Sequence, residues 1–273
     1  MFYGVFAVAP YLDRQQTLHK ANEKQMNMLM NLKKNFVLLM MVIMGGLAFT
    51  ACNNDDDDYT PYPQSFVQLV NSYAHADDGL GFKFGQTSIN PNQPLKYGDN
   101  FVYLTLQPGK YNVSAGVSGT ETSILDTSIT FSDTTYYTTV IYGSEAFPTS
   151  ITVEDKQPSD FDQSKANVRF FNLAENTVPL NVNLIGSGEP MEGVFTNRDA
   201  DDQTSAKQNQ VFKSLTTGVY TIQLTDASGA EVASTTETVD VRAGGYYTII
   251  AQGVKDDAEN PLKIQFVDHF PQQ

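Results

Sequence analysis

Few side chains of the sequence are suited to acid–base or nucleophilic catalysis. Three histidines are present, and only His75 and His269 lie beyond the N-terminal region. Histidine is the usual general base near neutral pH, and it needs a reacting group held beside it. The two histidines occupy non-equivalent places, one after the first predicted strand and one near the C-terminus, so we expect each to be exposed and solvated. We predict no catalytic residues and no enzymatic activity.

The carboxylates are spread over predicted loops rather than around a common point. The main acidic runs are 77–78, 199–202 and 256–257. A pair of carboxylates could hydrolyse a glycosidic bond, but nothing in the spacing brings these runs together. A calcium ion in one such loop stays an alternative. The sequence contains neither zinc-ligand spacing nor a phosphate-cradling glycine loop, so we predict no metal and no cofactor.

Cys52 is the single cysteine of the chain, and its surroundings predict a role. A lysine pair at 33–34 precedes an apolar run over 36–43, and small residues stand directly before Cys52. This order is typical of a cleaved export signal. The apolar stretch is also short for a bilayer-spanning helix, which needs about 20 residues. We therefore predict a signal peptide over residues 1–51, of which 1–29 resemble an over-extended start because they carry several charges.

The small residue before Cys52 resembles the lipobox, the processing site of bacterial lipoproteins, with Phe49 where that site more often has leucine. The resemblance implies cleavage before Cys52, a diacylglycerol on its sulfur and an acyl chain such as palmitate on the new amino group. Two or more chains anchor a protein stably, whereas one chain holds it only marginally. We therefore expect Cys52 to be the lipid-attachment residue and the membrane to be bound through that anchor.

Residues 52–64 contain four consecutive aspartates at 55–58. Like charges repel one another and stay solvated, so we predict an acidic tether rather than a folded element. Acidic residues directly after a lipidated cysteine resemble the surface-export signal of Bacteroidota lipoproteins. The resemblance implies an outer-membrane protein exposed at the cell surface, with a periplasm-facing placement as the alternative.

The formal net charge of −14 limits the partners. An acidic surface repels phosphate backbones, so we predict no nucleic-acid partner. Anionic lipid headgroups repel it too, which excludes a polybasic contact as the route to a membrane. The remaining partner classes are proteins and glycans.

Four blocks of sequence recur in the same order beyond residue 64. The matched blocks are 65–71 with 166–172, 106–113 with 215–222, 136–143 with 246–253, and 151–155 with 264–268. A spacing of about 100 residues is too long for a solenoid unit and is the size of a domain. We predict β-sandwich repeat 1 over 65–157 and repeat 2 over 166–273, joined by a short polar linker. The second copy is longer, and its acidic-polar stretch 192–208 is the predicted insertion.

Within each copy, short runs of alternating apolar and polar residues are divided by Gly, Pro, Asn and Asp, as in half-buried strands joined by turns. Seven strands are predicted in the first copy, near 65–71, 80–84, 101–106, 110–117, 124–131, 136–142 and 149–154. Their counterparts in the second copy are predicted near 167–173, 180–185, 211–216, 219–226, 231–241, 245–252 and 262–268. We therefore predict an all-β fold of two tandem seven-stranded Greek-key β-sandwich domains, either immunoglobulin-like or prealbumin-like.

Tyrosines stand at equivalent points of the two copies. In the Gly-x-Tyr motifs at 109–111 and 218–220, we expect a positive-φ glycine and a tyrosine hydroxyl bonded to the turn backbone, as in a tyrosine corner. In the Tyr-Tyr pairs at 136–137 and 246–247, neighbouring side chains of a strand point to opposite faces. One tyrosine of each pair is expected in the core. The other points outward, where it covers the sheet or stacks on a sugar ring.

Three segments of repeat 2 carry a family resemblance: VRFFNLAENTVPLNVNLIGS, SLTTGVYTIQL and AGGYYTIIAQG. They resemble the bacterial domain of unknown function 4397, which is common in Bacteroidota lipoproteins. The resemblance is close over 166–253 and weaker over 65–155. It implies two copies of a secreted or surface-exposed β-domain, and it carries no catalytic residues.

These predictions describe a non-enzymatic lipoprotein of the cell envelope that presents two β-sandwich domains for binding or structural interaction. The alternative is a carbohydrate-binding accessory lipoprotein of a glycan-uptake system. A contiguous patch of outward aromatic side chains would favour the glycan-binding alternative. Ligand contacts confined to loops or edge strands would favour protein interaction.

Overall fold

The described residues of the computed structural model are 62–120, 122–186 and 191–270. The predicted signal segment 1–51, the lipid-attachment residue Cys52 and the tether as far as residue 61 lie outside the described residues, so these predictions stay predictions. The described residues from Tyr62 onward belong to one compact unit. No helix among them has the length and apolar character needed to cross a membrane.

The fold is all-β, as predicted, because the described residues form seventeen strands and one short helix. The first half contains β1 (Ser65–Asn71), β2 (Leu80–Phe84), β3 (Thr87–Ser88), β4 (Leu104–Leu106), β5 (Gly109–Val117), β6 (Ser123–Phe131), β7 (Thr135–Gly143) and β8 (Pro148–Glu154). The second half contains β9 (Ala166–Asn172), β10 (Leu180–Gly186), β11 (Met191–Arg198), helix α1 (Gln203–Gln208), β12 (Lys213–Leu215), β13 (Gly218–Thr225), β14 (Glu231–Ser234), β15 (Val239–Val241), β16 (Tyr246–Gln252) and β17 (Lys263–Asp268). The two halves therefore have eight and nine strands where seven were predicted for each.

Each half contains two sheets, and the strand order of the two halves is equivalent. In the first half, sheet A is ordered β4-β1-β7-β8 and sheet B is ordered β3-β2-β5-β6. In the second half, sheet C is ordered β12-β9-β16-β17 and sheet D is ordered β11-β10-β13-β14, with β15 also paired to β13. The central pairs β1–β7 and β9–β16 are parallel. Parallel neighbours cannot be joined by a hairpin, so each half crosses to its other sheet between them.

Sheets A and C pack against each other and bury both of their faces. All seven residues of β9 are buried, so this strand shows no alternation. A strand covered on both sides has no polar face, which is why β9 reads as a nearly continuous buried run. One face of each sheet lines the core of its own half. The opposite faces share a third apolar cluster that includes Val70, Val140, Ile151, Phe171 and Ile250. This buried contact between sheets A and C is the junction of the two halves.

Helix α1 belongs to the second half and covers an edge strand of the first half. The Asp202 carboxylate caps its N-terminus by accepting hydrogen bonds from two backbone N–H groups of the first turn. Gln203 then pairs with β8 as a neighbouring strand would. Its Oε1 accepts from the N–H of Thr152 at 2.8 Å, and its Nε2 donates to the carbonyl of the same residue at 2.9 Å. The helix lies within the predicted insertion 192–208 and protects an edge that would otherwise be open to other chains.

The predicted tyrosine corners are present in both halves. Each tyrosine Oη donates to a backbone carbonyl four residues upstream, at 2.9 Å for Tyr111 and 3.1 Å for Tyr220. The expected positive φ is found at Gly109 (+153°), whereas the same expectation is wrong for Gly218. At Gly218 the constraint is space, because a Cβ there would lie 3.0 Å from the Tyr220 side chain.

Candidate functional site

The tyrosine pairs divide between core and surface as predicted. Tyr137 and Tyr247 are 5% and 0% exposed, and each lies in the core of its own half. Tyr136 is 37% exposed and Tyr246 is half-buried. Tyr136 lies near the start of β7, and Tyr246 lies near the start of β16. Each lies on the face of its sheet that meets the other half at the junction. Both rings contact Phe270, so they lie at the same end of the junction.

Five aromatic side chains meet at this end of the junction. The first half supplies Phe66, Tyr103 and Tyr136, and the second half supplies Tyr246 and Phe270. Phe66 and Tyr136 are cross-strand neighbours on β1 and β7, and their rings stack with centroids 4.4 Å apart. Phe270 bridges the halves, with centroid distances of 5.3 Å to Tyr103 and 6.2 Å to Tyr246. These five residues form the junction cluster.

The junction cluster is partly open to solvent. Phe270 is 52% exposed and Tyr136 is 37% exposed, while the other three rings are half-buried. Scattered apolar residues on a surface need no explanation, but a contiguous apolar patch marks an interaction site. The cluster is therefore a candidate interaction surface.

A buried polar network lies beneath the junction cluster. The side chain of Arg169 is 0% exposed and forms an ion pair of 2.6 Å with Asp155 across the junction. Its Nε donates to Thr248 Oγ1 and one Nη donates to Thr138 Oγ1, both at 2.9 Å. Burial alone would raise the pKa of Asp155, but Arg169, His269 and the hydrogen bonds from Tyr103 and Thr138 together hold that pKa below its usual value. The pair therefore stays charged, and its removal from water is compensated by hydrogen bonds from both halves.

His269 belongs to this network, and the prediction that it is exposed is wrong. It directly follows β17 and is 1% exposed. Its Nδ1 lies 2.9 Å from Tyr103 Oη, and its Nε2 lies 2.7 Å from Thr248 Oγ1. Burial lowers the pKa of His269 to about 3, which the nearby Asp155 carboxylate opposes only in part. The imidazole is therefore neutral near neutral pH.

The donors and acceptors of the network assign one neutral tautomer to His269. Tyr103 Oη donates to Asp155 Oδ2 at 2.6 Å, so it accepts from the Nδ1–H of the imidazole. Arg169 donates to Thr248 Oγ1, whose own proton then goes to Nε2. Burial and the Asp155 charge raise the pKa of Tyr103, which keeps the proton on its hydroxyl. Both ring nitrogens therefore have hydrogen-bond partners inside the protein, one in each half.

The other residues suited to chemistry are not brought together. His75 is half-buried and packs edge-on against Tyr73, with ring centroids 5.3 Å apart. Within the part of the chain that the structure describes, no three His, Cys, Asp or Glu side chains are grouped closely enough to hold a metal ion. Of the loop carboxylates, Asp201 pairs with Arg198 at 3.2 Å and Asp202 caps α1. These carboxylates stabilise local structure.

Sequence reasoning singled out Tyr136 and Tyr246 but missed the rest of the junction cluster. Phe270 follows β17 and lies outside every predicted strand. Tyr103 lies in the strand predicted near 101–106 but precedes the observed strand β4, so alternation did not assign its face. Phe66 carried the only available signal, because it is a large apolar residue on the outward row of its strand. The internal repeat does not predict an aromatic residue at this position, since the residue that matches Phe66 in the second half is Asn167.

The paired sheets of each half define an all-β protein of the sandwich type. Residues 65–183 match the family model of the domain of unknown function 4397 (DUF4397). This single match covers the first half together with β9 and the start of β10. The sequence predicts two copies, with the closer resemblance over 166–253. The family match is instead single, and it lies mainly on the first half. No curated protein matches the chain.

Two solved structures illustrate what the chain is similar to. A carbohydrate-binding module of family 26 from Eubacterium rectale Amy13K, solved with maltoheptaose, is 10% identical with a TM-score of 0.23, covering 76% of this chain and 98% of that chain. A protein proposed to act in cell adhesion from Bacteroides eggerthii is 9% identical with a TM-score of 0.16, covering 76% of this chain and 95% of that chain. Neither similarity is strong enough to assign a function.

Proposed function

We propose that this protein is a non-enzymatic lipoprotein, anchored in the outer membrane through Cys52 and exposed at the cell surface, that binds a glycan at the junction cluster. The observation that carries the proposal is one partly exposed aromatic patch built from both halves. The anchor rests on the sequence around Cys52 and on the acidic tether 52–64. We also propose that the halves are tandem copies of one sandwich domain, over 65–157 and 166–273. The equivalent strand orders support this duplication.

Aromatic rings suit a glycan because the apolar face of a sugar ring packs on them, while a tyrosine hydroxyl meets its polar edge. Tyr136 and Phe270 are the two most exposed rings of the cluster. Their planes lie at 69° with centroids 6.0 Å apart, so they form a corner rather than a flat surface. One face of Tyr136 is stacked on Phe66, so a sugar ring would pack on the exposed parts of Tyr136 and Phe270.

The junction cluster is held rigidly by what lies beneath it. Tyr103 is hydrogen-bonded to Asp155 within the first half and to His269 of the second half. A site whose rings are fixed before binding loses less conformational entropy when the ligand arrives. The buried network therefore supports the cluster as a preformed site.

The chain enters the described body beside the junction cluster. The N–H of Gln64 donates to Asp133 Oδ1 at 2.8 Å, and the N–H of Thr134 donates to the Gln64 carbonyl at 2.6 Å. These contacts lie directly before β7 and Tyr136. A fully extended tether from Cys52 to Tyr62 would span at most about 35 Å. A lipid on Cys52 would thus keep the cluster within reach of glycans at the membrane surface.

A glycan array probed with the mature chain carrying Cys52→Ser tests the glycan proposal. We expect a defined set of glycans to bind, with affinity lost about tenfold or more in Tyr136→Ala and in Phe270→Ala. Phe147→Ala is the matched control, because Phe147 is 78% exposed but follows β7 at its opposite end. Binding that survives loss of both cluster rings, or no glycan binding at all, would contradict the proposal and favour a protein partner.

Labelled palmitate and membrane fractionation test the anchor. We expect the full chain to take up the label and to partition with the outer membrane, and Cys52→Ser to lose both properties. An unlabelled parent protein, or membrane partitioning that is unchanged in Cys52→Ser, would overturn the lipoprotein assignment.

A further inference from the structure

Strand β6 is an open edge of sheet B. It is continuous over nine residues, Ser123–Phe131, and its sheet partner among the described residues is β5. The core-facing residues Leu125, Thr127 and Ile129 are only half-buried, because no further strand in the described part of the chain covers them. The outer side of β6 therefore presents unpaired backbone donors and acceptors next to a partly exposed apolar row.

A groove of about 750 Å³ runs along this edge, with β6 on one side and β8 with helix α1 on the other. Most of its side chains carry a hydroxyl or an amide, among them Thr127 on β6 and Thr152 on β8. Leu125 and Ile129 add apolar surface. The groove thus offers hydrogen-bonding groups and apolar contacts side by side, as an added strand requires.

Neighbouring edges are protected where β6 is not. The backbone of β8 is bonded by Gln203, and also by Gln210, whose Oε1 accepts from the N–H of Glu154 at 3.0 Å. In the second half, the counterpart of β6 is broken into β14 and β15, of four and three residues. Strand β6 has neither lysine nor proline, the residues that commonly block edge pairing, and its single charged residue is Asp126.

The charge of the groove indicates what kind of peptide strand would bind there. Glu154 is paired with Lys156 at 3.0 Å. Lys207 of α1 also lines the groove and forms no ion pair with another described residue. The groove therefore carries an uncompensated positive charge in a chain of net charge −14. Neutral side chains with one carboxylate complement it better than a basic peptide does.

We propose that β6 accepts an extended peptide strand of a partner protein. The peptide pairs with β6 through its main chain and places alternate apolar side chains over Leu125 and Ile129. Its other side chains are hydroxyl-bearing or β-branched, and it carries one carboxylate near Lys207. The main-chain bonds supply affinity, and the alternate side chains supply specificity. This surface is distinct from the junction cluster and does not depend on glycan binding.

A synthetic peptide with the sequence of β6 itself, SILDTSITF, is the probe. In an antiparallel register centred on Thr127, the leucine of the peptide faces Ile129 and its aspartate faces Ser128. The apolar row then continues, and no two like charges are opposed. We expect the fluorescein-labelled peptide to bind the mature Cys52→Ser chain. It should slow hydrogen–deuterium exchange of backbone amides in 123–131 and leave the junction cluster unchanged.

Thr127→Lys tests whether the peptide lies at the edge of the strand. A lysine in the core-facing row reaches solvent at a free edge but would be buried by an added strand. We expect it to weaken peptide binding by about tenfold or more. Asp126→Asn is the matched control, because it changes the charge by the same amount on the exposed face of the same strand and adds no lysine to the edge. It should leave the affinity within about threefold.

Unchanged amide exchange in β6 at saturating peptide, or equal affinity of Thr127→Lys and the parent chain, would overturn the proposal. A dimer in sedimentation that Thr127→Lys dissociates would overturn it too, because a second copy would then fill the edge. If Thr127→Lys does not fold, the exchange measurement on the parent chain decides.

Discussion

The two halves share a strand order but differ at their edges. The first half has the continuous open strand β6, whereas its counterpart in the second half is divided into β14 and β15. The second half has helix α1, which covers β8 of the first half. The two halves are therefore complementary at their edges, because the second half supplies a cover and the first half leaves one edge strand open among the described residues.

The halves also differ at equivalent positions of the junction. Gln68 on β1 matches Arg169 on β9 in the repeat, and both are 0% exposed. Arg169 bonds to groups of both halves, whereas the amide atoms of Gln68 have no hydrogen-bond partner among the described residues. At this matched pair of positions, only the residue of the second half forms polar contacts across the junction, and this asymmetry can be measured.

The largest expected effect comes from substituting this matched pair of residues. Arg169→Met leaves Asp155 charged and unpaired in the interior, so the free energy of unfolding should fall by about 3–5 kcal/mol. Gln68→Met removes an amide that gains no hydrogen bond, so it should change stability by less than about 1 kcal/mol or increase it. Urea unfolding of the mature Cys52→Ser chain measures both. Equal losses for the two variants would refute the asymmetry.

A pH titration of stability tests whether His269 is buried in its neutral form. The unfolded chain protonates His269 below a pKa of about 6.5, whereas the folded chain does so only at about 3. The unfolded state therefore binds more protons in this window, and stability should fall by about 2–3 kcal/mol from pH 6.5 to 4.5. His269→Gln should flatten that slope. A slope that persists in His269→Gln would show that other groups cause it.

Removing the hydrogen bonds by which helix α1 covers β8 should lower the free energy of unfolding by a smaller amount. Gln203→Ala deletes both hydrogen bonds to Thr152, with an expected loss of about 1–2 kcal/mol. Gln208→Ala lies in the same helix, is exposed and makes no such contact, so it is the control. Thermal unfolding of both variants checks the difference. If Gln208→Ala is equally destabilised, the loss does not come from the two hydrogen bonds to Thr152, and edge protection is contradicted.

The smallest effect concerns the two tyrosine corners. Tyr220 is 7% exposed, whereas Tyr111 is half-buried and the hydrogen bond that its hydroxyl donates is exposed. We expect Tyr220→Phe to lose about 1 kcal/mol and Tyr111→Phe about half of that. Chemical denaturation compares the two variants. A larger loss at Tyr111 would mean that burial does not set the strength of the corner.

The strands were largely predictable because alternation and turn residues encode them locally. Every predicted strand has a counterpart, although the run 231–241 is divided into β14 and β15. The insertion 192–208 was located, but β11 and α1 were not predicted within it. Its polar composition has no clear period, and α1 is held mainly by capping and by contacts with β8.

The candidate site was less predictable because it forms between the halves. Alternation predicted that Tyr136 and Tyr246 point outward, but it did not indicate that the two rings would meet around Phe270. His269 was misread for the same reason, since its burial comes from packing of one half on the other. No local pattern marks a side chain that is covered by residues 100 or more positions away.

Chemical-shift mapping of aromatic resonances, with a glycan selected on the array, tests the central claim most directly. If the junction cluster is the binding site, Tyr136 from the first half and Phe270 from the second shift together and saturate with one affinity. Shifts confined to one half, or to the Phe147 end of β7, would contradict a glycan site built by both halves.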